Sequence, residues 1–435
     1  MAETNKISMP NEYNLNRLEI RSYNGFSLDI RDNIVELCIH ESMYTPTISG
    51  QVMIGENVNL SKHFPIVGSE TLLVDFETPS RKDKCQREFF VYKLGNRLDQ
   101  SENAKMSMYT LSFASPEFVF NQQNKVSRGY KNMSYSDMVA SLYQDSIMNK
   151  NDARPLFIEK TLGKHCLVIP YMPPLQAASF IASRAISNDG KDPTYHFYET
   201  FDGFHFKTIN YNRKIQDTPI AEYFEFRSNI SENNVIRDIE KEFRRISAIT
   251  FLNGHNSLKN MADGVFSSVL ILPNSIDKKI ETKTFAYQRD FFKQTTLNPS
   301  RILPQTADYY SYNPYTHMRV YPKTPYLFSN VKYNEDYENV VLQRNAHLRH
   351  LDNMKIEILV PGDSERRVGD VVNVNIFSRE SAKKNQTNIY DPYMSGNYVI
   401  TQITHQIIKN GYTMRLFLER DSVPQPYPEE KEIYD

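Results

Sequence analysis

The chain has 435 residues, of which 40% are hydrophobic and 24% charged, and its 51 basic and 52 acidic side chains leave a formal net charge of -1. That length exceeds one ordinary core, and the balanced charge lacks the basic excess that a stable grip on nucleic acid leaves in a sequence. Three widely spaced cysteines, Cys38, Cys85 and Cys166, fit free thiols in a reducing compartment rather than a disulfide framework.

In chain order, residues 17–120 read as short strands. RLEIRSYNGFSLDI alternates around Asn24-Gly25, and IVELCIHESM, SGQVMIGE, ETLLVDFE, EFFVYKL and SMYTLSFASPE follow. Five or six such strands predict a small barrel or sandwich. The polar N-terminus has no apolar signal core. The most apolar long stretch, CLVIPYMPPLQAASFIA, is interrupted by prolines and cannot cross a bilayer as one helix.

After Asn121 the texture becomes α/β. MSYSDMVASLYQDSIM places Met138, Leu142 and Met148 near one helical face, with Ser136 as the expected N-cap. PPLQAASFIASRAIS opens on prolines suited to a first helical turn. TYHFYETFDGFHFKTI predicts a hairpin around Asp202-Gly203. From 221 the signal weakens: SENNVIRDIEKEFRRISAITFLNG suggests a short helix leading into a strand. Residues 307–328 are rich in tyrosine and proline without clean periodicity, a stretch expected to serve function or pack on a partner. ENVVLQRNAHLRHL reads as a helix.

The last section is again β. KIEILV and VVNVNIF alternate, and SGNYVITQITHQIIKNGYTMRLFLERDS reads as a hairpin turning at Asn410-Gly411. Its apolar parity, Tyr412, Met414, Leu416 and Leu418, is the expected barrel-core face. Thr413, Arg415 and Glu419 are the expected polar face. The two β sections also match each other: PIVGSETLLVDF, EFFVYKL and MYTLSFASPE run parallel to LVPGDSERRVGDVVNVNIF, NYVITQI and YTMRLFLERDS, which points to an internal duplication.

Chemistry-bearing motifs are absent. The 15 glycines never occur as Gly-x-Gly or four apart, and Gly-Lys-Ser/Thr and HExxH do not occur, which removes the dinucleotide fingerprint, nucleophile elbow, P-loop and common zinc-protease helix. His347 and His350 could face one metal from a helix, but no further ligands stand out, so they read as surface histidines. Cys38 reads as a packed thiol, and His405, within the apolar parity of the last hairpin, as a packed or interface residue. No catalytic, cofactor-binding or metal-binding residue is assigned, and the chain reads as a binding or structural protein rather than an enzyme.

The ends of the chain nevertheless resemble a known family. VPGDSERRVGDVVNVNIF, SGNYVITQITHQI and YTMRLFLERDS look like the last barrel of the baseplate hub proteins of contractile-tailed bacteriophages. IHESMYTPTISGQVMIGE and PIVGSETLLVDF are similar to their first barrel, and the two helices with YHFYETFDGFHF fit their middle. The resemblance covers nearly the whole chain and rests on the order and spacing of loose motifs. It implies an α+β, β-rich fold with two similar small β-barrel (tube) domains flanking α/β insertion domains. The expected division is a first tube domain in 1–120, an α/β domain in 121–220, a second mixed insertion in 221–338, the last tube domain in 339–423, and an acidic tail in 424–435.

The implied role is a homotrimeric hub whose six barrels form a pseudo-six-fold ring, adapting a six-fold tail tube to a three-fold spike and lining the DNA ejection channel. Thr413, Arg415 and Glu419 would face the channel or tube. The implied partners are a separate central spike protein, tail tube or tube-initiator proteins, baseplate wedge proteins and DNA in transit, with no cofactor and no membrane-spanning segment. The place would be the tail baseplate of a virion assembled in the host cytoplasm. The hub of a phage-derived contractile injection system, or of a type VI-like secretion machine, is the alternative of the same class. A cell-wall hydrolase with a site in the α/β middle is the alternative of a different class.

Overall fold

The computed structural model describes residues 9–56, 66–79, 81–99, 107–150, 152–215, 218–225, 239–302, 317–322, 337–379 and 390–427. Its first section holds seven strands: β1 (Asn14–Arg21), β2 (Ser27–Asp29), β3 (Ile34–Ser42), β4 (Ser49–Glu56), β5 (Thr71–Glu77), β6 (Cys85–Asp99) and β7 (Ser107–Ala114). All their ladders are antiparallel, in the order β3-β4-β7-β6-β5-β1-β2. The β1–β2 turn is tight enough to need Gly25, whose φ of +83° is open to a residue without a Cβ. Alternation decides the faces: Leu72, Val74 and Phe76 on β5 are buried while their neighbours are partly exposed.

The middle section builds a second core. The strands are β8 (Val126–Met133), β9 (Leu156–Ile158), β10 (His165–Met172), β11 (Tyr195–Thr200) and β12 (Gly203–Thr208), with helices at Pro116–Gln123, Tyr135–Leu142 and Pro174–Ala182. Met138, Leu142, Leu175, Ile181, Phe204 and Phe206 pack together. The N-cap of the second helix is Ser134, two residues earlier than expected, because its side chain accepts from the Asp137 amide. That helix runs on into a π-turn at Tyr143–Ile147. β11 and β12 form the expected hairpin, with Thr200 opposite Gly203.

Next come β13 (Ala221–Glu225), β14 (Arg245–Ile246) and β15 (Ala248–Asn253), after a short helix at Ile239–Phe243. A third core forms where β16 (Ser267–Asn274), β17 (Lys279–Ala286) and the helix Tyr337–Leu351 meet, through Phe266, Leu270, Phe291, Leu342 and Ala346. Here β18 (Ser300–Arg301) and β19 (Met318–Val320) are short, and β19 runs parallel to β16. Only 317–322 of the Tyr/Pro-rich 307–328 stretch falls within the described residues. The chain ends in β20 (Lys355–Pro361), β21 (Val371–Asn375), β22 (Gly396–Ile408), β23 (Gly411–Glu419) and β24 (Ser422–Val423).

The pairing in the last section repeats that of the first. β1 pairs β2 and β5, β3 pairs β4, β4 and β6 both pair β7, and β5 pairs β6. Likewise β13 pairs β14 and β21, β15 pairs β20, β20 and β22 both pair β23, and β21 pairs β22. The one change is direction: β13 runs parallel to its neighbours where β1 runs antiparallel. The detail repeats too. The Val91 amide donates to the Glu70 carbonyl and the Ile400 amide to the Asp370 carbonyl, at 2.8 and 2.9 Å. Each donor is followed by a bulge, at Tyr92 in β6 and Thr401 in β22.

No described sheet closes on itself through an unbroken ladder. β2 and β3 are separated by the turn Arg31–Asn33, and β14 and β15 by Ser247. Instead of two detached barrels, the two sections share one 14-stranded sheet, joined where β22 pairs β3. A single hydrophobic cluster accordingly runs from Leu18 to Leu418.

Candidate assembly surface

The join between the sections runs antiparallel from Gln402 opposite Ser42 to Ile408 opposite Glu36. It forms because β22 is longer than β21: β21 covers it only as far as Val399, and the freed backbone of residues 402–408 takes β3. On the inner face, His405 lies 3.1 Å from Glu41 and 2.6 Å from the Tyr412 hydroxyl, all fully or almost fully buried. On the outer face, Gln406 donates to Glu36, and His40 lies 3.0 Å from the Thr404 hydroxyl.

Further buried charge fastens the middle section to both β sections. Arg87 of β6 is fully buried against Glu117, Glu199 and Asp152 at 2.6, 2.8 and 2.5 Å. Burial pushes the Glu199 carboxyl upward despite that cation, and Glu199 also accepts from the Ile48 amide. On the other side, Arg367 reaches Asp202 of the β11–β12 turn at 2.9 Å, and Asn212 donates to the Gly369 carbonyl. These ties fasten the middle section to both β sections.

The hairpin residues fall as follows. Tyr412, Met414, Leu416 and Leu418 are fully buried, packed among Ile356, Ile358, Ile400 and Ile403. Arg415 is exposed and pairs with Glu357 at 3.2 Å, and Thr413 is half-buried. Glu419 departs from the expected channel-facing set: it is buried, because Lys355 and Tyr44 cover it, bonding at 2.6 and 2.5 Å. Its parity is that of Arg415, but the strand end is roofed over by residues remote in sequence.

His347 and His350 are not surface residues either. Both are fully buried, against Phe291, where the third insertion core and the end of the chain close over the helix. His347 sits 3.0 Å from Asp421, and burial pushes His350 down to about 3. No group of three metal-ligating side chains occurs among the described residues. Cys38 is half-buried beside Glu36, and burial pushes its thiol up to about 12, far from a reactive thiolate. A cavity of about 260 Å³ near the end of β15 is polar, but Lys259–Asp352 and Arg349–Asp263 neutralise one another within it. No described helix is long and apolar enough to cross a membrane.

Neither a family model nor a curated protein matches this chain. Solved structures do. A tail protein from Neisseria meningitidis MC58 aligns over 96% of this chain and 99% of its own, with TM-score 0.55 and 13% identity. The chain has a tail-protein fold. The 43 kDa tail protein of prophage MuSo2 from Shewanella oneidensis aligns over 94% and 98%, with TM-score 0.54 and 8% identity. The tail-protein fold therefore extends over nearly the full length of both structures, insertions included, at identities where only architecture is shared. That likeness to tail proteins, and the β-rich architecture, agree with the hub-like motifs at the two ends of the sequence.

Sequence reasoning missed β13 and β15 as members of the last β unit, and the buried acids around Arg87. Their signal lies in pairing across long chain distances: Ala221 opposite Val372 and Phe251 opposite Ile356. Only the alternation of AITFL pointed towards the second.

Proposed function

We propose that this chain is the structural hub of a contractile phage-tail baseplate, acting without catalysis. The observation that carries the reading is the duplicated strand graph, with matching amide bonds and matching bulges in two units joined edge to edge. Each unit would close as a small barrel through a bent run, 27–42 in the first and 245–253 in the second. Three chains then supply six like units, which suits a ring with pseudo-six-fold symmetry inside and three-fold symmetry outside. Such a ring adapts a six-fold tail tube to a three-fold spike and lines the channel for DNA, whose passage needs no basic excess. Arg415 and Thr413 would face the channel or tube. The first unit would comprise β1–β7, and the second would join β13–β15 to β20–β23, with the helix Tyr337–Leu351 packed between it and the third core. The α/β block and the insertion 254–338 would lie outside the ring, towards a separate spike protein and the wedge proteins.

The test is electron microscopy of the purified protein viewed end-on. A hollow ring with six similar inner lobes and three-fold outer features is the expected image. Particles without a ring, at every concentration and also with the spike protein added, would overturn the reading.

A further inference from the structure

We infer that β6 of one copy pairs antiparallel with β15 of the next, repeating between chains the β22–β3 join made within each chain. The inference rests on the hub reading for the number of copies and on the duplicated graph for the strands themselves.

The duplication makes β6 the counterpart of β22, and β15 the counterpart of β3. Phe90 lies opposite Thr71 as Val399 lies opposite Val371, and the bulges at Tyr92 and Thr401 follow at the same step. On the other side, Ile39 lies opposite Gly50 and Phe251 opposite Ile356; Gly50 and Ile356 in turn face Phe113 and Leu418, the partners of Val91 and Ile400. Beyond its bulge, β22 is paired by β3 on the side that β21 leaves open. Beyond its own bulge, β6 continues to Asp99, and β5 has already stopped pairing at Phe90. Among the described residues no strand pairs that side of β6, and β15 has only β20 as a partner.

Exposure separates the two cases. At the join, Ile403, Thr401 and Ile39 are fully buried. Their counterparts are open: Leu94 is 49% exposed, Tyr92 48% and Phe251 42%, with Leu252 beside it at 40%. An open edge bearing large apolar side chains is a template for strand addition. The two edges belong to different units of the chain, so each copy offers one of each. That contact is heterologous, and a repeated heterologous contact closes into a ring when the rotation allows. Transferring the register of His405 opposite Ile39 sets the backbone of Arg97 opposite Phe251, and that of Gly95 and Asn96 opposite Leu252 and Asn253. The ring would then be one continuous sheet, with each β unit flanked by two others.

The experiment uses the full chain carrying Leu94→Cys and Leu252→Cys together, treated with a short bismaleimide. The expected result is a covalent ladder ending at the trimer on a denaturing gel, with the parent chain and each single variant giving none. A second variant, Phe251→Lys, changes an exposed side chain. It should convert trimer to monomer by light scattering with an unchanged far-ultraviolet spectrum. A parent trimer in which the double variant does not cross-link between chains, or in which Phe251→Lys stays trimeric, would overturn the strand pairing and leave the hub reading standing. A parent chain that stays monomeric at every concentration, and also with spike protein added, would overturn both.

Discussion

His405 stands 3.1 Å from Glu41 with neither side chain exposed to solvent, so the last hairpin and the first β section share one buried polar contact across their join. Its other ring nitrogen lies 2.6 Å from the Tyr412 hydroxyl, and Phe76 and Phe201 meet the ring edge-on. The contact leaves neither side of the ring to an apolar neighbour alone. Removing one member of such a pair strands the other without water, whereas removing both is far milder. His405→Phe should cost about 1–3 kcal/mol in urea titration, the usual penalty for a buried polar group left without its partner, and the Glu41→Leu/His405→Phe double variant should cost less than His405→Phe alone. A double variant as costly as the sum of the two singles would mean that the pair does not couple the sections.

Gly50 marks a second close approach at the first unit. A Cβ built there would lie 2.4 Å from both the Cys38 carbonyl and the Phe113 ring, one backbone and one packed core side chain. Neither can retreat cheaply, since Cys38 is fixed in the β3–β4 ladder and Phe113 in the core. Gly50→Ala should therefore destabilise by about 1–3 kcal/mol, the usual range for overpacking. The thermal midpoint would report it, and an unchanged midpoint would mean that both the β3–β4 ladder at Cys38 and the Phe113 ring can give way.

Much of this was legible in the sequence, and the boundary of legibility has a physical cause. Period-two alternation and Asn-Gly or Asp-Gly turns located the hairpins, and the order of Pro/Gly turn, alternating strand and final hairpin aligned β5, β6 and β7 with β21, β22 and β23. Pairing partners leave no such mark. Ala221 lies beside Val372 across a long insertion, and local patterning carries no information about that distance. Burial of polar groups was missed for the same reason. His350 looks solvent-facing beside Arg349, yet Phe291 and Tyr287 close over it from another element. Glu419 looked like a surface acid until Tyr44 and Lys355 arrived from two other strands.

Buried histidines should make the fold acid-sensitive. Burial pushes His350 and His205 each down to about 3 from an ordinary value of 6.5. The folded state thus binds fewer protons than the unfolded chain between those values. Their stabilisation is full above pH 6.5 and is lost as pH falls towards 3, at about 1.4 kcal/mol per pH unit for each histidine. Asp370, raised by burial to about 6, works in the opposite sense, its contribution being full below about pH 4 and lost as pH rises through 6. His350 is the cleanest probe, although Asp421 and His347 face it with opposing effects. His350→Phe should flatten the decline in urea stability between pH 6 and 4 by about one proton relative to the parent. Equal slopes would mean that His350 is hydrated in solution.

The parity of the last hairpin gives the sharpest contrast between adjacent positions. Leu416 is fully buried, opposite Ile403 on one side and Ile358 on the other, at the centre of the shared core. Truncation to Ala should cost about 2–5 kcal/mol, and an unpaired carboxylate at that position costs more still. Leu416→Asp should therefore abolish soluble folded protein and with it any assembly. Arg415 points the other way, exposed and tied only to Glu357, an ion pair of a type worth about 0–1 kcal/mol. Arg415→Ala should leave the urea midpoint almost unchanged. If Leu416→Asp yielded a soluble protein with the parent's cooperative unfolding, the inward face of β23 would have been assigned the wrong way round.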